Sequence, residues 1–200
     1  MRIGVIDIET SHFFDKGGQI LEVAMAILDT ETRSINKAFT SICTERNKEA
    51  IGEDAWVFEN SSLNYDDVMK CEVYFDEILP ELQKLVDGCD LVTAYNKAFD
   101  FEFLKDRGLV INNEAKCLML ESTPICKIPA PWYMVKKNPD QPFKWPSCEE
   151  SWAVMYPDIE YVEAHRAIDD AIHEALICWK LISKYGVDMK EEIKNDNSSS

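Results

Sequence analysis

The sequence predicts a single α/β domain in which helices cover a central mixed sheet. Three observations predict it. Two apolar, β-branched runs near the start, Arg2 to Ile8 and Gln19 to Leu28, flank a polar turn, Asp15-Lys16-Gly17-Gly18, as in a hairpin of buried strands. Beyond them strand and helix patterns alternate, the mark of a sheet with helices packed on it. Finally, 200 residues with 46% hydrophobic content suffice for one sizeable core.

A third strand, Ser34 to Cys43, follows the polar stretch Asp29 to Arg33, so the sheet should begin as an antiparallel meander. Tyr74, Ile78, Leu82 and Leu85 then fall at helical spacing, although Pro80 argues against one continuous helix. Asp90 to Ala94 reads as a short strand. Phe99 to Arg107 reads as a helix that stops before Gly108 and turns Phe99, Phe103 and Leu104 inward. A helix is expected over Glu149 to Met155. The last long one, Ile168 to Tyr185 before Gly186, places Ile168, Ile172, Ala175, Trp179 and Ile182 on one apolar stripe. Six of the eight prolines lie between Pro124 and Pro146, which breaks up regular structure and marks an insertion over about 124–147. The expected organisation is one domain over 1–186 and a polar, fraying tail over 187–200.

With 21 Lys plus Arg against 37 Asp plus Glu, the formal net charge is −16 at pH 7. That charge argues against tight binding to long polyanions, while the hydrophobic content excludes a disordered acidic polymer. No stretch is apolar enough to span a bilayer, and Asp7 comes too early for a signal peptide, so a soluble intracellular chain with no membrane partner is expected. Seven scattered cysteines without a C-x-x-C pair suggest buried thiols in a reducing compartment.

Asp7 and Glu9 lie two apart in Val5-Ile6-Asp7-Ile8-Glu9-Thr10. On a strand they share one face while Ile6 and Ile8 take the other. Paired acids at the end of a buried strand are costly without a cation, and oxygen-rich clusters of this kind suit Mg²⁺ or Mn²⁺. Asp100 opens a helix after Tyr95-Asn96-Lys97-Ala98-Phe99, where a helix dipole alone would also favour an acid. His165 and the pair Asp169-Asp170 meet the start of the last helix. Neither aspartate lies on the apolar stripe, so the pattern alone does not choose between them.

Taken in order, D-x-E on a strand, N-x-x-F-D and H-R-A-I-D-D-A resemble the signature of the DEDDh, or DnaQ-like, exonucleases, from Ile3 to about Tyr185. Lys116-Cys117-Leu118-Met119 and Phe143-Lys144-Trp145-Pro146 are similar to segments of the small bacterial and phage members of the exonuclease X and polymerase III epsilon type. The resemblance implies a ribonuclease H-like fold and a 3′-5′ exonuclease that releases nucleoside 5′-monophosphates by two-metal hydrolysis. It maps four metal-binding acids onto Asp7, Glu9, Asp100 and Asp170, the last because the family acid follows the histidine by five positions, and a general base onto His165. Arg166 stands where a sister group has Tyr. In this reading Asp7 bridges two Mg²⁺ or Mn²⁺ ions, Glu9 and Asp170 hold the one beside the attacking water, and Asp100 supports the other. An imidazole titrates near neutral pH and suits the base.

The implied substrate is a single-stranded DNA 3′ end, with an RNA 3′ end as the alternative and a non-catalytic, polymerase-associated binding module as a second. A DNA polymerase or another replication or repair protein is an implied partner, and the implied location is the cytoplasm of a bacterial or phage-infected cell. Asn96 and Phe99 either flank the terminal nucleotide or shape the turn and core, and Thr10 has a place beside a terminal 3′ hydroxyl. Ser11-His12 replaces the Thr-Gly pair of many members, and His12 is expected in a solvent-exposed loop. Glu22 reads as structural.

In the insertion, Lys127, Lys136, Lys137 and Lys144 face Asp140 alone and alternate with Trp132, Tyr133, Phe143 and Trp145. This is the composition of a single-strand guide, with Lys136 and Lys137 as its phosphate contacts. The other reading packs the aromatics on the core, Trp145 first. Charge and motifs together predict a salt-sensitive, distributive enzyme gripping a few terminal nucleotides.

Overall fold

The computed structural model describes residues 1–191. Its sheet has four strands in the order β3-β2-β1-β4: β1 (Arg2–Thr10), β2 (Ile20–Asp29), β3 (Ser34–Ile42) and β4 (Leu91–Thr93). The meander β1-β2-β3 is antiparallel, and β4 joins β1 in parallel after a crossover, making the sheet mixed. The helices are α1 (Trp56–Asn60), α2 (Tyr65–Lys70), α3 (Phe75–Asp87), α4 (Lys97–Asp106), α5 (Leu118–Cys126), α6 (Trp132–Lys137), α7 (Cys148–Met155) and α8 (Ala167–Tyr185).

Both faces of the sheet are covered, so its central strands are apolar on both sides. Ile6, Ile8, Val23 and Met25 pack against Phe75, Leu82 and Val86 of α3 and Phe103 and Leu104 of α4. On the opposite face Ile3, Val5, Ala26 and Leu28 meet Ala171, Ala175, Cys178 and Leu181 of α8, with Trp152 and Met155 of α7. A smaller cluster, Leu21 with Ile51, Val57, Leu63 and Val68, seats α1 and α2 over one end of the sheet.

Four differences from the sequence reading have physical causes. The helix α3 runs through Pro80, which lies on its exposed side, so the missing N–H weakens one turn while the buried stripe stays whole. In α8 the buried residues are Ala167, Asp170, Ala171, Glu174, Ala175, Ile177, Cys178 and Leu181. Of the expected stripe Ala175 is among them, while Ile168, Ile172, Trp179 and Ile182 flank them, because the helix approaches the sheet largely through small side chains. Packing continues past Gly186, since Met189 is buried and Lys190 bridges Ala115, while residues 192–200 of the expected tail lie outside the described residues. Lastly, Trp145, the first aromatic to enter the core in the alternative reading of the insertion, is 54% exposed.

Among the described residues no helix is long and apolar enough to cross a membrane. All seven cysteines are free thiols.

Candidate active site

The site forms where β1 outruns its cover. Ile3, Val5, Asp7 and Glu9 share the α8 face by the two-residue period of the strand, and only the last two reach beyond the helix packing. A bulge between Glu9 and Thr10 ends the regular pairing with β2, as bulges often do beside sites that need a side chain re-aimed. Asn96 caps α4, putting Asp100 in its first turn, and α8 delivers Asp170 from its own first turn.

These elements converge on a cleft of about 150 Å³ whose lining includes Asp7, Glu9, Asp100, His165 and Asp170, together with Asn96 and Phe99. Two further carboxylates, Glu163 and Glu174, line it as well. Glu174 was open to detection, since it lies one helical turn after Asp170 and so on the same face. Nothing in the sequence marks Glu163.

Crowding shapes the electrostatics. None of the described residues lining the cleft is Lys or Arg. Burial, then Glu174 and Asp100, pushes the Asp7 carboxyl well above the usual range. Glu9 rises to about 8 through burial and then Asp170. Asp100 rises to about 7 through burial, against hydrogen bonds from its own and the Ile8 backbone. Glu163 rises to about 7 through burial and Asp170, and burial raises Asp170 and Glu174 too. Ligand atoms of Glu9, His165 and Asp170 lie within 4.8 Å of one another. An oxygen-rich set this crowded fits a hard divalent cation, which would neutralise it.

The two aspartates left open by the sequence pattern point in different directions. Asp170 is 2% exposed and turns inward. The Tyr161 phenol donates to its Oδ1 at 2.8 Å and the Arg166 N–H to its Oδ2 at 2.9 Å. The Tyr161 ring stacks on His173 at 4.0 Å, while Asp169 turns away to meet His173.

His165 stands on the loop before α8 with φ of 50°, a left-handed conformation that costs a non-glycine residue about 1 kcal/mol or more. Two contacts hold that loop. The Trp56 ring sits edge-on to the imidazole at 4.8 Å. Arg166 grips Glu22 through Nε at 2.9 Å and Nη2 at 2.8 Å, and Glu22 also accepts the Ala167 N–H at 3.1 Å. Glu22 faces Glu9 across β1 and β2, so the guanidinium neutralises one of two opposed carboxylates. The structural role read for Glu22 is therefore specific: it anchors the His165 loop.

A second cavity of about 460 Å³ adjoins the cleft, lined by Ile8, Thr10, His12, Phe13, Trp56 and Phe99 among others. Thr10 donates its hydroxyl to the His12 carbonyl at 3.0 Å, closing the turn after β1. A Cβ on Gly18 would fall 2.0 Å from that carbonyl oxygen, so glycine lets the loop fold back here. His12 is exposed at the rim. Lys136 and Lys137 are not brought to either space; they lie on α6 of the insertion.

A family model, RNase_T, described as exonuclease, matches residues 5–177. Among solved structures the fold is similar to the nuclease domain of 3′hExo, a DEDDh family member bound to rAMP, at 15% identity and TM-score 0.64, covering 96% of this chain and 97% of that one. It is similar to a full-length 3′-exonuclease at 14% identity and TM-score 0.58, where 96% of this chain spans only 64% of the other. It is also similar to E. coli exonuclease I in complex with a dT13 oligonucleotide, at 13% identity and TM-score 0.63, covering 92% of this chain and 42% of that one. No curated protein matches the sequence.

Proposed function

Since the chain belongs to the RNase_T exonuclease family, we propose that it removes nucleotides from 3′ ends of single-stranded DNA by metal-dependent phosphodiester hydrolysis. The observation that carries this reading is the cleft in which Asp7, Glu9, Asp100, Asp170 and His165 face one another without a cationic side chain among the lining residues.

Asp7, Glu9, Asp100 and Asp170 would hold the divalent ions, Mg²⁺ or Mn²⁺, two per site in this reading. Such ions, when bound, make a water nucleophilic near neutral pH and stabilise charge on the leaving oxygen. His165 accepts the proton of the attacking water. Its place on a strained loop, against Trp56 and beside the Arg166–Glu22 pair, supports that role by restricting the imidazole to the mouth of the cleft. Phe99 and Thr10 take the terminal nucleotide in the adjoining cavity, where Phe99 and Trp56 offer apolar faces to a base, and Asn96 meets it from the cleft. An RNA 3′ end is the alternative, favoured by the likeness in fold to a nuclease domain solved with rAMP. Seven free thiols suit a reducing compartment such as the cytoplasm.

The test incubates the protein with Mg²⁺ or Mn²⁺ and end-labelled single-stranded DNA, duplex DNA and RNA. Stepwise shortening from the 3′ end, fastest on single-stranded DNA and lost in Asp7→Asn, is the expected result. No shortening of any substrate, even with Mn²⁺, would overturn it.

A further inference from the structure

Residues 127–146 follow α5, and the start of that helix and the end of the insertion are both tied to Tyr95, which also lines the cleft. The Tyr95 carbonyl accepts the Met119 N–H at 2.9 Å where α5 begins. The phenol of the same residue meets the Pro146 and Ser147 carbonyls at 3.0 and 2.7 Å where the insertion ends. Between these ties the chain forms a stalk, with the Lys144 N–H donating to Ile128 at 3.0 Å and the Ala130 N–H to Pro142 at 2.9 Å, and α6 lies at its tip.

The stalk and tip expose side chains that a domain ordinarily buries. Trp132 is 77% exposed, and Tyr133 and Trp145 are each 54% exposed. A cavity of about 370 Å³ opens beside α5, lined by Leu120, Thr123, Pro124, Phe143 and Trp145, with Asp140 the one charged side chain among its described lining residues. Lys127, Lys136 and Lys137 of the same insertion are exposed, and among the described residues none of them forms an ion pair, whereas Lys144 is taken by Glu150 at 2.6 Å.

We propose that this insertion is a subsite for the single-stranded polynucleotide upstream of the 3′ end. Trp132, Tyr133 and Trp145 stack on unpaired bases, and Lys127, Lys136 and Lys137 meet the intervening phosphates. The charge selects this occupant. On a chain of net charge −16, unpaired lysines beside bare aromatic faces match a ligand that carries both phosphates and accessible base faces. A duplex hides its base faces and presents a long phosphate rail to an acidic protein. The proposal deepens the exonuclease reading and rests on it.

The test compares release of nucleotides from a single strand of about 20 nucleotides and from a trinucleotide, with binding of the longer strand followed separately by fluorescence anisotropy in Ca²⁺. Trp132→Ala with Tyr133→Ala should lower the ratio of kcat/KM, long over short, about tenfold. Lys136→Gln with Lys137→Gln, two exposed changes that spare the fold, should reduce the slope of log affinity for the long strand against log salt by about 1.4. An unchanged ratio with an unchanged slope would overturn the subsite. If the unaltered protein releases nothing from either substrate, the exonuclease reading fails instead, and the anisotropy arm still decides the subsite.

Discussion

The acidic cleft and the insertion are joined at Tyr95 yet built in different ways. Asp7, Glu9, Asp100 and Asp170 each project from a strand or a helix that is packed on the sheet, and Asp170 has both oxygens held by hydrogen bonds. The rings and lysines of the insertion stand on a stalk closed by backbone hydrogen bonds between 128 and 144 and between 130 and 142, with a six-residue helix at its tip. Chemistry on one phosphodiester demands atoms fixed to a fraction of an ångström, so it is placed where packing over-determines position. Gripping a flexible strand tolerates looser geometry, because any base has a face to stack. Difference in architecture therefore tracks difference in task, and each task should fail in its own way.

His165→Ala offers the largest test of that division within a folded cleft. It should lower kcat by roughly 10²- to 10⁴-fold on strands of every length. Metal binding should survive, and the length preference set by the insertion should be retained. Near-normal turnover would remove His165 from the reaction, and a loss confined to long strands would dissolve the boundary between cleft and insertion.

Tyr161→Phe sharpens the comparison at a residue outside the ligand set. The ring keeps its stacking on His173 but no longer donates to Asp170, so metal affinity measured by calorimetry should weaken by roughly 10- to 100-fold. Binding of a single strand to the insertion should not respond. Unchanged metal affinity would show that the Tyr161 hydrogen bond does not orient the carboxylate.

The smallest expected effect is on stability. Glu9 is raised to about 8, and Asp100 and Glu163 to about 7, from ordinary values of 4.5 or below. Between those limits the metal-free folded protein holds protons that the unfolded chain has released, so its stability falls as pH rises through this window. Added Mg²⁺ favours the ionised carboxylates and should flatten the decline. Melting temperatures at about pH 5.5 and about pH 8, with and without Mg²⁺, measure it. A metal-free Tm that climbs with pH would contradict the crowding of the cleft, whereas Lys136→Gln with Lys137→Gln should leave the trend intact.

What was legible in the sequence divides along the same line. A continuous apolar, β-branched run exposed β1, and a strand buried on both faces leaves Asp7 and Glu9 conspicuous among Ile and Val. The inward face of α8 was not legible. Its contact residues include Ala167, Ala171 and Ala175, which carry little hydrophobic signal, so the larger Ile and Trp side chains on the flank drew the stripe away from Asp170. Short helices were hidden as well: α1 and α2 have five and six residues, too few to complete a helical repeat. Among residues that support the site, Glu174 could be found by spacing from Asp170, but Tyr161, Trp56 and the partner of Glu22 depend on contacts between segments far apart in the chain. Exposure of Trp145 was likewise beyond composition, since an aromatic beside prolines suits a core and a stalk equally.

The left-handed backbone at His165 has an implication for how this sequence is maintained. A drift toward glycine at that position would relieve torsional strain and make the chain fold more readily, so selection for stability alone would remove the imidazole. The imidazole stands against the preference of its own backbone, and variants chosen only for heat resistance should discard it before they discard anything in the sheet.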